Sequence, residues 1–553
     1  MMFFQIVRFR RHMDYFPRVI VMPILVLIWL LNLSSVFLSA AEIHDAAKNG
    51  DLVKVKVLIA KDPTLIDAVD ESGRTPLHWA CRGVHIEIVK FLADRGGDVN
   101  AQDYSAVASL HSAASRGHLK TAKILIDQGA YPDMKMYEGV TPLHLAARNG
   151  HKEMAALLLA EGASFSLQNA DEETPLHTAA SEGKSKVIEV LADCIIAKDP
   201  AALNIIDFDG WTALHSACAK GHLDSVELLV SKGIDIDLRC TIGQTGYNLA
   251  KKEGFHEIAA FLSQEGADQS PQRFPRLTGP YLGQKPPGKT PQLFAKGIVS
   301  TKAGIYGTIV FSPDNDEVFW KPNTKELLFM KNVNGAWKAP QVFPFKEKDS
   351  INVPFFSYDG RRLYFMAGSR KPDGMIGNES IWYVEKRRDG WSKPRAFDSN
   401  VNSIPMHWQF SMDKKGNVYT STDNIYCARF ENGQYLAPEK LPAPINSVHT
   451  VKYRDGEIGP FISPEGDYLL YTKFPVGLFI SFRNGDGSWS APYNLSERFD
   501  SKGFDSAAKL TPDGKYLFFQ SVRSGSNPNR SLYWVDAGII EEFRREHTKE
   551  KSE

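Results

Sequence analysis

Two periods organise the chain. Over residues 42–269 apolar positions recur at helical spacing, as in Ile86-Glu87-Ile88-Val89-Lys90-Phe91-Leu92 and Leu223-Asp224-Ser225-Val226-Glu227-Leu228-Leu229-Val230, where they fall on one helix face. Ahead of each such helix lies a shorter one patterned like Thr141-Pro142-Leu143-His144-Leu145-Ala146-Ala147 and closed by a glycine such as Gly150. His78, His111, His144 and His177 are spaced by 33 residues, His215 follows after 38, Asn248 after another 33, and His44 stands 34 before His78. These are seven tandem units with atypical ends. Thr caps orphan amides and Pro fits the first helical position, so Thr75-Pro76, Thr141-Pro142 and Thr174-Pro175 predict helix starts. Gly50, Gly83, Gly117, Gly150, Gly183, Gly221 and Gly254 predict the stops. One unit cannot bury its apolar face alone; stacking does.

From Ser270 the helical period ends, and Pro271, Pro275, Pro280, Pro286 and Pro287 predict an extended linker over 270–289. Beyond it a strand unit recurs: Phe311-Ser312-Pro313-Asp314, Phe356-Ser357-Tyr358-Asp359-Gly360, Phe410-Ser411-Met412-Asp413, Ile462-Ser463-Pro464-Glu465-Gly466 and Leu510-Thr511-Pro512-Asp513-Gly514. Each predicts a strand entering a tight turn, followed by a buried strand such as Leu363-Tyr364-Phe365 or Tyr516-Leu517-Phe518-Phe519. A second signature, an aromatic residue with proline three positions on, closes four units at Trp337, Trp391, Tyr435 and Trp489.

The first set resembles the ankyrin family, whose repeat is a turn, two antiparallel helices and a hairpin finger. Ala108-Ser109 and Thr212-Ala213 depart from the family's Thr-Pro. The second set, over 290–543, resembles the WD-like propeller repeat of TolB and related exported bacterial proteins, which implies four-stranded blades around a channel. The expected fold class is therefore multidomain, an all-α ankyrin solenoid followed by an all-β propeller. Five inner hairpins are present, but the fifth unit turns into a charged, helix-like stretch at Ile539 without an outer strand, while Gln292-Leu293-Phe294 stands ahead of the first unit as an orphan. That balance predicts five blades, the last closed by the orphan strand; six is the alternative. Residues 544–553 are left as a charged tail.

The amino terminus carries Arg8, Arg10, Arg11 and Arg18, an apolar run from Val19 to Leu31, and small residues around Ser39 and Ala41. This order is that of a secretory signal cleaved after Ala41, and residues 19–41 are also nearly long enough for an uncleaved anchor. Either way the folded part is expected outside the cytoplasm, periplasmic or extracellular, with membrane contact only through 19–41 if that segment is retained. Sixty-five basic and 65 acidic side chains balance, so bulk electrostatics give no reason to expect a nucleic-acid partner. The five cysteines form no framework, and Cys81 and Cys218 are expected as buried thiols.

Candidate chemistry is sparse. The sequence holds no G-x-S-x-G elbow, Walker A loop, Rossmann glycine pattern or C-x-x-C pair, and no cofactor or metal is expected. The repeated histidines are read as helix-start side chains bonding nearby backbone, one per unit. Finger tips are where the ankyrin fold usually meets partners, which singles out Tyr104, Met136, Tyr137, Phe208 and Trp211 for a protein partner; packing onto adjacent fingers is the competing role. In the propeller, residues ahead of the inner strands approach the channel mouth, which singles out Tyr306, His407, Glu457 and Asp505 for a small ligand or peptide. Three readings follow: an exported, non-catalytic scaffold with two binding modules; a hydrolase or lyase acting at the propeller mouth; and a membrane-tethered structural component of the envelope.

Overall fold

The computed structural model describes residues 40–323, 326–344, 351–368, 379–388, 390–404, 406, 409–422, 424–446, 457–474, 476–499, 503–522 and 531–549. The basic and apolar stretch at residues 1–39, with its expected signal or anchor, lies outside them. The chain forms two compact units, one of residues up to 167 with 186–194 and the other of 168–185 with 195 onward. The division falls inside the ankyrin array and not at the proline-rich stretch.

The first unit is built of helix pairs: α1 (40–49) and α2 (Leu52–Lys61), α3 (Pro76–Arg82) and α4 (Ile86–Asp94), α5 (Ser109–Arg116) and α6 (Leu119–Asp127), α7 (Pro142–Asn149) and α8 (Lys152–Ala160). Small residues on the first helices and branched ones on the second give a buried seam, including Ala80, Ala113, Ala146, Val89, Leu125 and Leu158. The Thr75 backbone N–H donates to His78 Nδ1 at 3.1 Å, and His78 Nε2 bonds the Val107 carbonyl of the next finger at 2.9 Å. One imidazole thus satisfies a helix start and ties two repeats. The left-handed turn after the first helix falls on Gly117 and Gly150 but not on Gly83, where Val84 takes it at φ 59°.

The second unit holds α9 (Pro175–Ser181), the ends of α10 (Ser185–Lys198), and the pairs α11 (Ala213–Lys220) with α12 (Leu223–Ser231) and α13 (Gly246–Glu253) with α14 (His256–Gln264). The same device recurs: His177 bonds the Trp211 carbonyl at 2.9 Å and His215 the Gln244 carbonyl at 3.1 Å. Cys81 and Cys218 are buried and free, and burial pushes the Cys81 thiol up to about 12.

The rest of the second unit is a five-bladed propeller. Blade one comprises β3 (Val310–Phe311), β4 (Glu317–Trp320), β5 (Leu328–Val333) and β7 (Gln341–Val342); blade two β8 (Ile351–Phe356), β9 (Arg362–Ala367), β10 (Ser380–Arg387) and β12 (Arg395–Ala396). Blade three comprises β13 (Phe410–Met412), β14 (Val418–Ser421), β15 (Ile425–Ala428) and β18 (Glu439–Lys440); blade four β19 (Glu457–Ile462), β20 (Tyr468–Lys473), β21 (Gly477–Phe482) and β22 (Tyr493–Asn494). Blade five is β23 (Phe504–Leu510), β24 (Tyr516–Val522), β25 (Ser531–Asp536) and β2 (Gln292–Leu293), with Leu293 opposite Tyr533. All pairings within the blades are antiparallel.

Five apolar clusters fill the five seams. Phe319 meets Phe365 between blades one and two, Met366 meets Phe410 between two and three, and Tyr419 meets Tyr471 between three and four. Leu470 meets Phe519 between four and five, and Phe518 with Trp534 meets Phe311 with Trp320 between five and one. That last cluster closes the ring. It also takes in Tyr281 and Leu282, while β1 (Leu277–Thr278) pairs with β6 (Ala336–Trp337), so much of the stretch expected as a linker is packed against the propeller. The helix-like end is α15 (Gly538–Lys549), which buries Ile539, Ile540 and Phe543 in the seam between blades four and five.

The inner turns share one hydroxyl device. Ser312, Ser357, Ser463 and Thr511 each accept, through the side-chain oxygen, the backbone N–H five residues on. This closes the hairpin without a second strand residue. Blade three corrects the sequence alignment. There the turn runs from Asp413 to Asn417, whose N–H donates to Asp413 Oδ1 at 2.9 Å, so Asp413 and not Ser411 takes the turn position. Ser411 instead bridges to blade four, donating to the Pro460 carbonyl and accepting from the Ile462 N–H, both at 2.9 Å.

Candidate partner-binding surface

Two fingers of the first unit are shaped by aspartates. Asp70 Oδ1 accepts from the Ser72 and Arg74 N–H groups, and Asp103 Oδ1 from those of Ser105 and Val107. Each carboxylate closes its turn on its own backbone and leaves the tip residue outside. Of the sequence-derived candidates, Tyr104 is 72% exposed at the second of these tips and Tyr137 66% exposed at the tip of the next finger, where half-buried Met136 takes the aspartate's place. The Tyr104 N–H donates to the Ser72 carbonyl of the preceding finger at 3.0 Å, so the backbone is fixed while the ring is offered to solvent.

Next to these tips lies a group the sequence reading missed. Trp79 on α3 is half-buried, and its indole N–H donates to Asp70 Oδ2 at 2.9 Å. Three cations surround its ring: Lys48 Nζ at 5.1 Å, the Arg74 guanidinium at 5.3 Å and that of Arg82 at 5.6 Å from the centroid. Arg74 also pairs with Asp103 at 3.2 Å. Arg74, Trp79, Arg82, Ser105, Ser112 and Arg116 line a cavity of about 160 Å³. A sequence signal for it existed: Arg82, Arg116 and Arg148 each stand in the last turn of a first helix.

The other two finger candidates are not on open surface. In the second unit Phe208 is buried, with Lys296 Nζ 4.9 Å from its ring centroid, and Trp211 lies 5.3 Å beneath Lys302 Nζ. Lys302, from the loop after β2, reaches both Asp207 and Glu173 at 2.7 Å, and Lys296 pairs with Glu172. Burial alone would lower the Lys302 pKa, but Asp207 and Glu173 more than reverse that and hold it above the ordinary lysine value. Burial pushes neighbouring Asp209 up to about 7 against the pull of Lys302. The propeller side of this unit therefore occupies the finger tips a partner was expected to take.

Of the propeller-mouth candidates, His407 and the side chain of Glu457 lie outside the described residues. Tyr306 is half-buried, with its ring 5.6 Å from Lys321 Nζ, and Asp505 is fully buried, accepting from the Ser521 hydroxyl. Inner strands β8, β19 and β23 each carry a bulge, where Val353, Gly459 and Ala507 have positive φ. Beside the last bulge, Lys509 donates to the Pro354 carbonyl at 2.5 Å, and Gln409 donates to the Ala508 carbonyl at 3.2 Å. These bonds join blade five to blades two and three, which are not its neighbours in a five-membered ring, so they cross the axis. Burial draws the Lys509 ammonium down to about 7. Among the described residues no cluster of three or more His, Cys, Asp or Glu could hold a metal ion, and no helix is long and apolar enough to cross a membrane.

The family described as "Ankyrin repeats (3 copies)" matches residues 42–103, 107–169, 143–240 and 195–273. This region carries ankyrin repeats. Similar curated proteins include the palmitoyltransferase akr1 of Schizosaccharomyces pombe, 48% identical over 56 residues, which are 10% of this chain and 9% of that protein. The 26S proteasome non-ATPase regulatory subunit 10 of Rattus norvegicus is 46% identical over 54 residues, 10% of this chain and 23% of that protein. Protein phosphatase 1 regulatory subunit 27 of Mus musculus is 40% identical over 68 residues, 12% of this chain and 44% of that protein. The chain thus spans less than half the length of each of these relatives.

Proposed function

We propose that the protein is an exported, non-catalytic scaffold whose first four ankyrin repeats grip a protein partner and whose TolB-like propeller serves as a second binding module. The observation that carries this reading is the contrast between finger tips: Tyr104 and Tyr137 stand exposed beside the Trp79 cavity, whereas Phe208 and Trp211 are covered by Lys296 and Lys302 of the same unit. Large aromatic side chains held on a fixed backbone and left in solvent are the groups that anchor protein interfaces. Ankyrin repeats generally mediate protein–protein contacts, and two of the relatives are named as regulatory subunits. Export is supported by the order of basic, apolar and small residues ahead of Glu42.

The test is affinity capture from an envelope extract on the immobilised full chain, in parallel with a Tyr104→Ala/Tyr137→Ala variant. A protein retained by the native chain and lost with the variant supports the scaffold. Equal retention by both, or none by either, removes these tips as the binding surface. Sequencing the mature amino terminus tests export: a start at Glu42 fits a cleaved signal, a retained Met1 in the membrane fraction a tethered form.

A further inference from the structure

Although the chain as a whole is neutral, the cavity beside Trp79 is not. Its three arginines face one lining carboxylate, Asp103, and that carboxylate is already taken by Arg74 at 3.2 Å and by two backbone N–H groups. Asp70 is likewise spent on the Trp79 indole and on the Ser72 and Arg74 N–H groups. Among the described residues, no acidic side chain pairs with Arg82 or Arg116. His78 adds no charge, since burial pulls its pKa below the ordinary value and its ring is engaged with backbone on both nitrogens. What remains is two exposed guanidinium groups converging on a small cleft, with the Ser105 and Ser112 side chains on its wall and an indole as its floor.

Cations in the last helical turn favour the helix dipole wherever they stand, and that accounts for one arginine per helix. It does not account for Arg82 and Arg116, on α3 and α5, lining one cleft, nor for Lys48 and Arg74 adding to the same indole. Resting on the protein-binding reading above, we propose that this cleft receives the carboxylate of a Glu or Asp side chain from an extended acidic segment of the partner protein. Guanidinium groups pair with carboxylates through two parallel N–H bonds, a geometry a lysine cannot supply. The volume of about 160 Å³ suits one side chain and not a folded domain, so neighbouring partner residues run out over Tyr104, which stands between lining residues Asp103 and Ser105.

The experiment measures fluorescence anisotropy of a labelled peptide of alternating Glu and Ser, and of its Gln counterpart, on the full chain. The expected result is binding of the Glu peptide about tenfold tighter than the Gln peptide at low salt, weakening as salt rises. Arg82→Gln/Arg116→Gln should abolish that preference without changing thermal unfolding. Lys90→Gln/Lys120→Gln, on exposed positions of the second helices, should leave it intact. Equal affinity for the two peptides, retention of the preference in the arginine variant, or equal loss in the lysine variant overturns the proposal. Equally tight binding of a single-stranded oligonucleotide of matched charge also overturns it, by showing a general polyanion surface. If a partner captured through Tyr104 and Tyr137 is still held by the arginine variant, the scaffold reading stands and only the acidic-segment inference falls.

Discussion

The Lys302 ammonium lies 2.7 Å from the Asp207 carboxylate, whose side chain is wholly out of solvent, and joins a propeller loop to an ankyrin finger. Glu173 completes the group at 2.7 Å, and the Lys302 N–H donates to Asp209 at 3.2 Å. Removing the cation leaves a buried carboxylate without its partner. Lys302→Met should therefore destabilise the second unit by about 2–4 kcal/mol, and adding Asp207→Asn should recover part of that loss. Urea unfolding followed by circular dichroism measures both. Strict additivity of the two substitutions would show that the pair is not coupled.

Because those contacts hold the last repeats and the propeller in one compact unit, the boundary for unfolding should fall within the ankyrin array. Native-state hydrogen exchange should give α11, α13 and the blade-five strands a common opening free energy. Separate opening of α13 and β25 would argue against this.

Acid should loosen the stack through its histidines. Burial holds His111 and His215 down to about 4, and His78 and His177 below the ordinary 6.5. The unfolded chain then binds protons first, so stability falls as pH drops from about 6.5 to about 4 and levels off below. Each pKa unit is worth about 1.4 kcal/mol. The last repeat supplies the control, since Asn248 accepts from the Thr245 N–H and donates to the Ser270 carbonyl, both at 3.2 Å, without titrating. His215→Asn should flatten part of the acid slope, read from urea midpoints at several pH values; an unchanged slope would clear this histidine of the effect.

Lys509 has the opposite pH range. Its folded pKa is drawn from 10.5 to about 7, so the unfolded chain binds more protons between those values and stability rises as pH increases from about 7 to 10.5. Lys509→Met keeps the length of the side chain, removes the charge, and should raise stability at pH 7 by about 1–2 kcal/mol while losing that alkaline rise. A destabilised variant would mean that the cross-axis bond to Pro354 outweighs the burial of the charge.

Gly117 stands at φ 69°, and a Cβ there would meet the His151 ring at 2.8 Å, whereas Gly129 at φ 90° has nothing within 4 Å. Gly129→Ala should cost about 1 kcal/mol through backbone strain alone. Gly117→Ala should cost more, because it also displaces the His151 bond to the Ser115 carbonyl at 3.1 Å. Thermal melts of the two variants decide it, and equal shifts would mean that the ring moves freely.

What the sequence determined by itself was everything that repeats over short distances. The histidine spacing announced the helix pairs, because His78, His177 and His215 each serve their own helix start and the next finger. Four Ser/Thr turns announced their blades, because a hydroxyl closing a hairpin needs only the five residues that follow it. Local periodicity misled where a strand motif was imitated, as at Phe410-Ser411-Met412-Asp413, whose serine is used by the neighbouring blade. The tertiary structure decided which surface is open and which is spent. Tyr104 and Phe208 look alike as finger residues, and only a lysine 88 positions beyond Phe208, at Lys296, separates them. The Trp79 cleft likewise draws on two repeats, and a third adds Lys48 to its indole. Coulomb attraction and burial depend on distance in space, and a linear sequence records that distance only where the chain turns back on itself at a fixed interval.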